Sequence, residues 1–82
     1  MELTIRVKLE EPVLARQAAE IASRMSVFSS RVLLKRRDIS VNAKSLMGLM
    51  SLGISGGQTV TIITSGTDEA EAACALSALL GA

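Results

Sequence analysis

Residues 41–53 of the chain have the sequence Val-Asn-Ala-Lys-Ser-Leu-Met-Gly-Leu-Met-Ser-Leu-Gly, and the rest of the fold is organised around this stretch. Ser45 stands where a helix N-cap belongs, because its hydroxyl can accept a hydrogen bond from an amide of the first turn. Gly53 can adopt the left-handed conformation that closes many helices. The pattern therefore predicts a helix of about two turns that begins after Ser45 and ends at Gly53.

The apolar side chains of this short helix cover more than half of its circumference when successive residues are placed about 100° apart. A neighbouring sheet can cover only one side. We therefore expect Leu49 and Leu52 to be buried, and Leu46, Met47 and Met50 to form an exposed surface, called the apolar patch below. Methionine is favoured on adaptable surfaces that bind a partner, but it also fills gaps in ordinary cores. The alternative is a small helix that is buried on all sides.

The composition predicts a folded protein with one domain, residues 1–82. Hydrophobic residues make up 49% of the chain and charged residues 21%, which is typical of globular proteins. The formal net charge is +1 and Phe28 is the only aromatic residue, so the charge and the stacking surfaces that favour nucleic-acid binding are missing. The sequence also lacks an apolar run of about 18 residues and a secretory signal pattern. We expect a cytoplasmic protein that binds neither nucleic acid nor a membrane.

The residues that usually carry catalysis are missing as well. There is no histidine, so Ser-His and Cys-His nucleophile pairs and imidazole metal sites are excluded. The eight carboxylates are scattered along the chain, and no glycine-rich loop is followed by the lysine of a phosphate-binding loop. Cys74, the only cysteine, stands among alanines and is predicted to pack as a small hydrophobe rather than act as a reactive thiol. We expect no enzymatic activity, no metal and no cofactor.

Alternating and helical patterns predict most of the other elements. Leu3 to Leu9 alternate apolar and polar residues, which predicts a strand that ends at Glu10-Glu11-Pro12. Ala15–Met25 has one apolar and one polar arc, which predicts an amphipathic helix. Further strands are predicted at 30–34, 39–42 and 59–64, and the first two of these form a hairpin around the turn at 35–38.

The last predicted element is a helix that follows Gly66, with Thr67 as its N-cap and acidic residues in its first turn, where the helix dipole favours them. Its buried side is predicted from its apolar residues, namely Ala70, Ala73, Cys74, Leu76 and Leu80. The elements follow in the order strand, helix, strand, strand, helix, strand, helix. This order indicates an α+β fold, a two-layer open-faced sandwich in which three helices cover one face of a four-stranded antiparallel sheet.

Arg16 has an unusual position in the first turn of the helix predicted at 15–25. A cation there opposes the helix dipole, at a cost of about 0.3–1 kcal/mol at an exposed site. The side chain is therefore either an ordinary solvated arginine or a group that exists to bind an anion.

Together with the order of elements, three stretches resemble the HPr family, the small phosphocarrier proteins of the bacterial sugar phosphotransferase system. Asn42–Leu52 resembles the helix that carries the regulatory serine in Gram-positive members. Leu14–Ala19 aligns with the active-centre motif Gly-Leu-His-x-Arg-Pro-Ala-Ala, and Gly66–Ala70 aligns with the start of the last helix. The resemblance covers essentially the whole chain and implies the same four-stranded sheet under three helices.

The active-centre stretch departs from the family pattern at the residue that carries the chemistry. In this alignment Leu14 takes the position of the phosphorylated histidine, and Gln17 takes that of the proline. Leucine has no nucleophilic nitrogen, so a phosphoryl group cannot pass from enzyme I to a sugar permease through this position. A lost histidine with a retained serine is the pattern of the Crh-like branch of the family, which acts in catabolite repression.

The resemblance implies a regulatory function. A kinase of the HPr kinase/phosphorylase type would phosphorylate Ser45 from ATP, and the modified protein would act as corepressor for a LacI-type catabolite control regulator. Arg16, across the gap on the first helix, would form charge-assisted bonds to the phosphate. Lys44 and the apolar patch would contact the partner.

Two alternatives stay open at this point. Ser45 can be a plain N-cap that is never modified. The chain can also be a degenerate HPr-like docking or structural module of a phosphotransferase or transport complex, independent of phosphorylation, because Leu14 would extend the apolar patch. A homodimer is compatible with either function.

Overall fold

The computed structural model describes residues 1–9 and 13–81, and this part of the chain forms four strands and three helices. The strands are β1 (Glu2–Arg6), β2 (Arg31–Arg36), β3 (Ile39–Asn42) and β4 (Thr59–Ser65), and the helices are α1 (Ala15–Met25), α2 (Leu46–Leu52) and α3 (Glu69–Leu79). Their order along the chain is the order that the sequence predicts. None of the helices in these residues has the length and apolar character that a membrane span requires.

The four strands form one antiparallel sheet in the order β1-β4-β2-β3. In the two central strands Leu34 pairs with Ile62 and Val32 pairs with Thr64, and all four side chains are buried. Strands alternate their side chains between two faces, and the helices cover the face that carries these four. The opposite face carries exposed polar side chains such as Lys35. The predicted open-faced α+β sandwich is confirmed.

Helices α1 and α2 run antiparallel, as two contacts between their ends demonstrate. At one end the Val13 amide, just before α1, donates to the Ile54 carbonyl, just after α2, at 2.8 Å. At the other end Lys44 Nζ, just before α2, donates to the Phe28 carbonyl, which follows α1, at 2.7 Å. The start of α1 therefore lies beside the end of α2. This arrangement decides which functional residues can meet.

The predicted hairpin is present, but its turn is tighter than expected. Strand β2 extends through Arg36, where it pairs with Ile39, so only Arg37 and Asp38 connect the two strands. Arg37 adopts a left-handed φ of 58°. Strand β1 ends at Arg6 rather than Leu9. The predicted break at residues 10–12 lies outside the described residues.

The start of α3 differs from the prediction, because Asp68 and not Thr67 occupies the N-cap position. The Asp68 carboxylate turns towards the loop before β2, where it accepts hydrogen bonds from the amides of Ser29 and Ser30, both at 2.8 Å, and from the Ser30 hydroxyl. These bonds, that of the Ser30 hydroxyl above all, lower the pKa of Asp68. The Asp68 carboxylate therefore binds the loop before β2, 38 residues earlier in the chain, instead of capping α3.

The prediction for the buried side of α3 is also wrong in part. Cys74 and Ala70 are exposed, whereas Ala72, Ala73 and Leu76 are buried. Alanine and cysteine occur on every side of this helix, so its apolar residues do not define one direction. The expectation that Cys74 packs inside the protein is therefore wrong.

Candidate functional site

Ser45 caps α2 as predicted. Its hydroxyl oxygen accepts a hydrogen bond from the Gly48 amide at 3.2 Å, and its carbonyl accepts from the Leu49 amide at 3.0 Å. The residue has the extended backbone, with φ −106° and ψ 118°, that is typical of an N-cap. Its side chain is half-buried. A short helix thus presents a serine hydroxyl at the end where its dipole is positive.

The far end of α2 is fixed by a glycine and a guanidinium group. Gly53 has a φ of 66°, the left-handed conformation that the sequence predicts for it. Arg36 donates from Nε at 3.0 Å and from Nη2 at 2.8 Å to the Leu52 carbonyl, one of the free acceptors in the last turn. A helix this short is marginal by itself, so these contacts maintain its position.

Gly48 allows α2 to lie directly on β3. A Cβ atom added at this position would be 3.2 Å from the Val41 Cβ and 3.4 Å from the Ser45 Cβ. Both distances are shorter than or at the edge of ordinary van der Waals contact. The glycine therefore sets the depth of α2 above the sheet and, with it, the position of the Ser45 hydroxyl.

The apolar patch is exposed as predicted. Met47 is 75% exposed, Met50 44% and Leu46 39%, whereas Leu49 and Leu52 are buried. The alternative of a helix buried on all sides is wrong. Single exposed hydrophobes are common, whereas three lie together on this one seven-residue helix.

Leu14 stands at the N-cap position of α1 and is 59% exposed. Its side chain has no acceptor atom, so it cannot cap the helix. Gln17 contributes the other half of a capping box, because its Oε1 accepts a hydrogen bond from the Leu14 amide at 3.2 Å. This role of Gln17 was not predicted. Gln17 thus stabilises the start of the helix, and neither of the two side chains supplies a nucleophile.

Arg16 is exposed in the first turn of α1. Because α1 and α2 are antiparallel, the first turn of α1 lies beside the last turn of α2, and Ser45 lies at the other end. The seven residues of α2 span about 10 Å. The described contacts include no bond between Arg16 and Ser45, and the direct bond from Arg16 to a phosphate on Ser45 stays a prediction.

Lys44 is the cation that adjoins Ser45 in the chain. Its amide donates to Asn42 Oδ1 at 2.9 Å, and its ammonium donates to the Phe28 carbonyl at 2.7 Å. The side chain is half-buried and leads towards the end of α1. An ammonium group has three donors, so two remain for other acceptors. Its bond to the loop after α1 carries no signal in the sequence and was missed.

The comparison with known proteins agrees with this geometry. The family model described as "PTS HPr component phosphorylation site" matches residues 1–82. The chain belongs to the HPr family. It is 44% identical over 80 residues to the HPr-like protein Crh of Halalkalibacterium halodurans, a match that covers 98% of this chain and 95% of that protein.

Solved HPr and Crh structures have the same fold. The phosphocarrier protein HPr from Bacillus anthracis superposes with a TM-score of 0.92 at 36% identity, over 98% of this chain and 95% of that one. Crh from Bacillus subtilis, crystallised as an intertwined dimer with a swapped domain, superposes with a TM-score of 0.80 at 43% identity, over 94% and 88% of the two chains. These relatives support a phosphocarrier or Crh-type regulatory role for this HPr-family chain.

Proposed function

We propose that this protein is a non-catalytic, Crh-like regulator that is phosphorylated on Ser45 by a kinase of the HPr kinase/phosphorylase type. The modified protein then acts as corepressor for a LacI-type catabolite control regulator in the cytoplasm. The carrying observation is that α2 keeps a serine at its N-cap beside an exposed apolar patch, whereas α1 has lost its nucleophile. Residues 1–82 form the single domain that does this.

The start of α1 argues against the carrier reaction. Transfer on this surface requires a nucleophilic nitrogen or a comparable group, and Leu14 offers only hydrocarbon. Gln17 does not replace it, because its side chain is already engaged with the Leu14 amide and an amide nitrogen is a poor nucleophile. No phosphoryl group is expected on this end of the molecule.

The start of α2 is suited to a phosphate. A phosphoserine carries about −1.5 to −2 charges, which the free amides and the dipole of a helix start stabilise. Its oxygens can replace the Ser45 hydroxyl as acceptor for the Gly48 amide. Lys44 adjoins it and retains two donors. Phosphorylation should therefore leave the fold intact and add a dianion to the surface.

The antiparallel helices define what the partner must offer. Ser45 precedes the first turn of α2, whereas the backbone of Arg16 lies beside the last turn, and the apolar patch is on the same helix between them. A partner would place a cation against the phosphate, an acid against Arg16 and apolar side chains against the patch. Two charges of opposite sign fix the orientation of such a complex.

The experiment is incubation with an HPr kinase/phosphorylase and ATP, followed by mass spectrometry of the intact protein. We expect the mass of one phosphoryl group on the wild type and on Ser51→Ala, and none on Ser45→Ala. Ser51 is the matched control, because it is exposed on the same helix with its hydroxyl bonded to the Gly48 carbonyl. Absence of phosphate on the wild type, or undiminished labelling of Ser45→Ala, contradicts the proposal.

A second function is a docking module that needs no phosphate. It is favoured by the exposure of Leu14, which adds an apolar side chain at the start of α1 to those on α2. Pull-down with unmodified and phosphorylated protein separates the two functions. Capture of a partner by the unmodified form favours docking, whereas capture that depends wholly on the phosphate favours the regulator. A homodimer, as crystallised for Crh, fits either function.

A further inference from the structure

The face of the sheet that points away from the helices carries an apolar pair at its centre. Leu33 on β2 lies directly opposite Ile63 on β4. Both side chains are half-buried, and neither is among the described residues that form the core or pack against it. Side chains alternate along a strand, and the neighbours of these two residues are the ones that face the helices. Two aliphatic side chains thus lie in the middle of an open sheet.

Three exposed cations surround this pair. Arg31 and Lys35 are two residues before and two residues after Leu33 on β2, so the three side chains lie in one line on the open face. The Thr4 hydroxyl is 3.1 Å from that of its partner on β4, in the same row as Lys35, so Arg6, two residues further along β1, points to this face as well. The apolar pair and the three cations are called the cationic surface below.

These cations differ from several on the helix side, which are engaged within the chain. Arg24 pairs with Glu20 at 3.3 Å, and Arg36 and Lys44 donate to backbone carbonyls at the ends of α2 and α1. The three cations of the cationic surface have no ion pair among the described residues. The carboxylate that the described strands place on this face is that of Glu2, on the edge strand β1 beside the apolar pair. An acidic group can therefore approach best along β2.

We propose that the cationic surface binds an acidic amphipathic helix of a partner protein. The fold has two layers, and such a helix would form a third layer on the uncovered face. Its apolar stripe would cover Leu33 and Ile63, and its carboxylates would meet the cations. Arg31 and Lys35 are about 13 Å apart along the strand. Two helical turns span about 11 Å, so glutamates seven residues apart on a helix along β2 can reach both cations.

A nucleic acid or a lipid surface fits the cationic surface less well. Phe28 is the only aromatic residue of the chain, and it lines a groove on the helix side, so bases would find no stacking partner on the sheet. Three cations are fewer than the clusters of about four to eight that bind anionic lipids. A helix that carries both carboxylates and an apolar stripe uses the charges and the apolar pair together.

The first test is an NMR titration of the ¹⁵N-labelled protein with a synthetic helical peptide in which glutamates flank a stripe of leucines. We expect micromolar binding at low salt, shift changes of the amides in β2 and β4, and weaker binding at high salt. The matched peptide with glutamine in place of every glutamate should bind about tenfold more weakly. Equal binding of the two peptides, or shift changes confined to α2, overturns the proposal.

Charge reversal in the protein is the second test. Arg31→Glu and Lys35→Glu should each weaken binding of the acidic peptide about tenfold, and the double variant should prefer a peptide with lysine in place of glutamate. Arg24→Glu is the matched control, because it makes the same change of charge on the exposed side of α1. Thermal unfolding checks that the variants fold. A loss with Arg24→Glu as large as that with Lys35→Glu contradicts the proposal, because net charge would then explain both.

The third test compares classes of partner. Leu33→Ser should weaken the acidic peptide several-fold, because the apolar stripe would lose half of its contact. Polyuridine RNA and vesicles of anionic phospholipid are the competing probes, and tighter binding of either than of the acidic peptide under the same conditions overturns the proposal. All of these measurements use protein that is not phosphorylated on Ser45, so the cationic surface and the proposed function stand or fall separately.

Discussion

Helices α2 and α3 achieve their positions by different means. Helix α2 has only seven residues, but a serine caps its start, a left-handed glycine ends it, and a second glycine sets its distance from β3. Helix α3 has eleven residues, no side-chain cap among the described contacts, and alanine on all sides. A short helix with specific ends is thus oriented by local chemistry, whereas a longer alanine-rich helix takes its orientation from the surface that it packs on.

The largest effect that tests this comparison is expected inside α2. Leu49→Ala should lower the free energy of unfolding by about 2–5 kcal/mol, because Leu49 is buried and its truncation leaves a cavity. Met47→Ala, on the exposed side of the same helix, should change it by less than about 0.5 kcal/mol. Urea denaturation of both variants measures the difference. Equal losses at the two positions would mean that α2 is covered on both sides.

A smaller effect compares the two helix starts. Ser45→Ala should cost about 1 kcal/mol of unfolding free energy, since it removes the acceptor of the Gly48 amide. Thr67→Ala should cost less than about 0.5 kcal/mol, because Thr67 is exposed and lies outside the N-cap position of α3. Denaturation midpoints measured under the same conditions compare the stability losses of the two variants. If Thr67→Ala lowered the free energy of unfolding as much as Ser45→Ala does, Thr67 would cap α3, as the sequence predicts.

The smallest effect concerns Asp68 and depends on pH. Its pKa is lowered in the folded protein by the Ser30 hydroxyl and the Ser29 and Ser30 amides, so the unfolded chain takes up the proton first. The contribution of Asp68 to stability is therefore complete above the unfolded pKa of about 3.9 and disappears as the pH falls through the folded pKa.

Unfolding curves at several acidic pH values measure this contribution. Asp68→Asn should show a shallower decline of stability with falling pH than the wild type does. Asp38→Asn, which alters an exposed aspartate in the turn between β2 and β3, should follow the wild-type curve. Identical curves for all three proteins would show that the carboxylate contributes nothing in solution.

Most of the fold could be predicted from the sequence, because period-two strands and one amphipathic helix define their own buried sides. Ala15–Met25 has the predicted bounds, and the caps at Ser45 and Gly53 are where the side chains indicate. Cys74 and Ala70 were misplaced because the phase of α3 is set by contacts with the sheet and α1, which are distant in the chain. Asp68 was missed as an anchor because its partners lie before β2.

The candidate site could be predicted only within α2. Ser45 and the apolar patch follow from capping and helical periodicity, which act over a few residues. The relation between Arg16 and Ser45 depends on the direction of α1 relative to α2, and no local pattern in either helix specifies it. The long-range contacts from Val13 to Ile54 and from Lys44 to Phe28 settle that direction.

The separation of the two helix starts has a consequence for how such a protein can change over time. Leu14 and Ser45 lie at opposite ends of the helix pair, and each has its own supporting contacts. A lineage can therefore discard the chemistry of one end without disturbing the environment of the other. Substitutions at the start of α1 can therefore remove a nucleophile there while Ser45 keeps its capping bond to Gly48 at the start of α2.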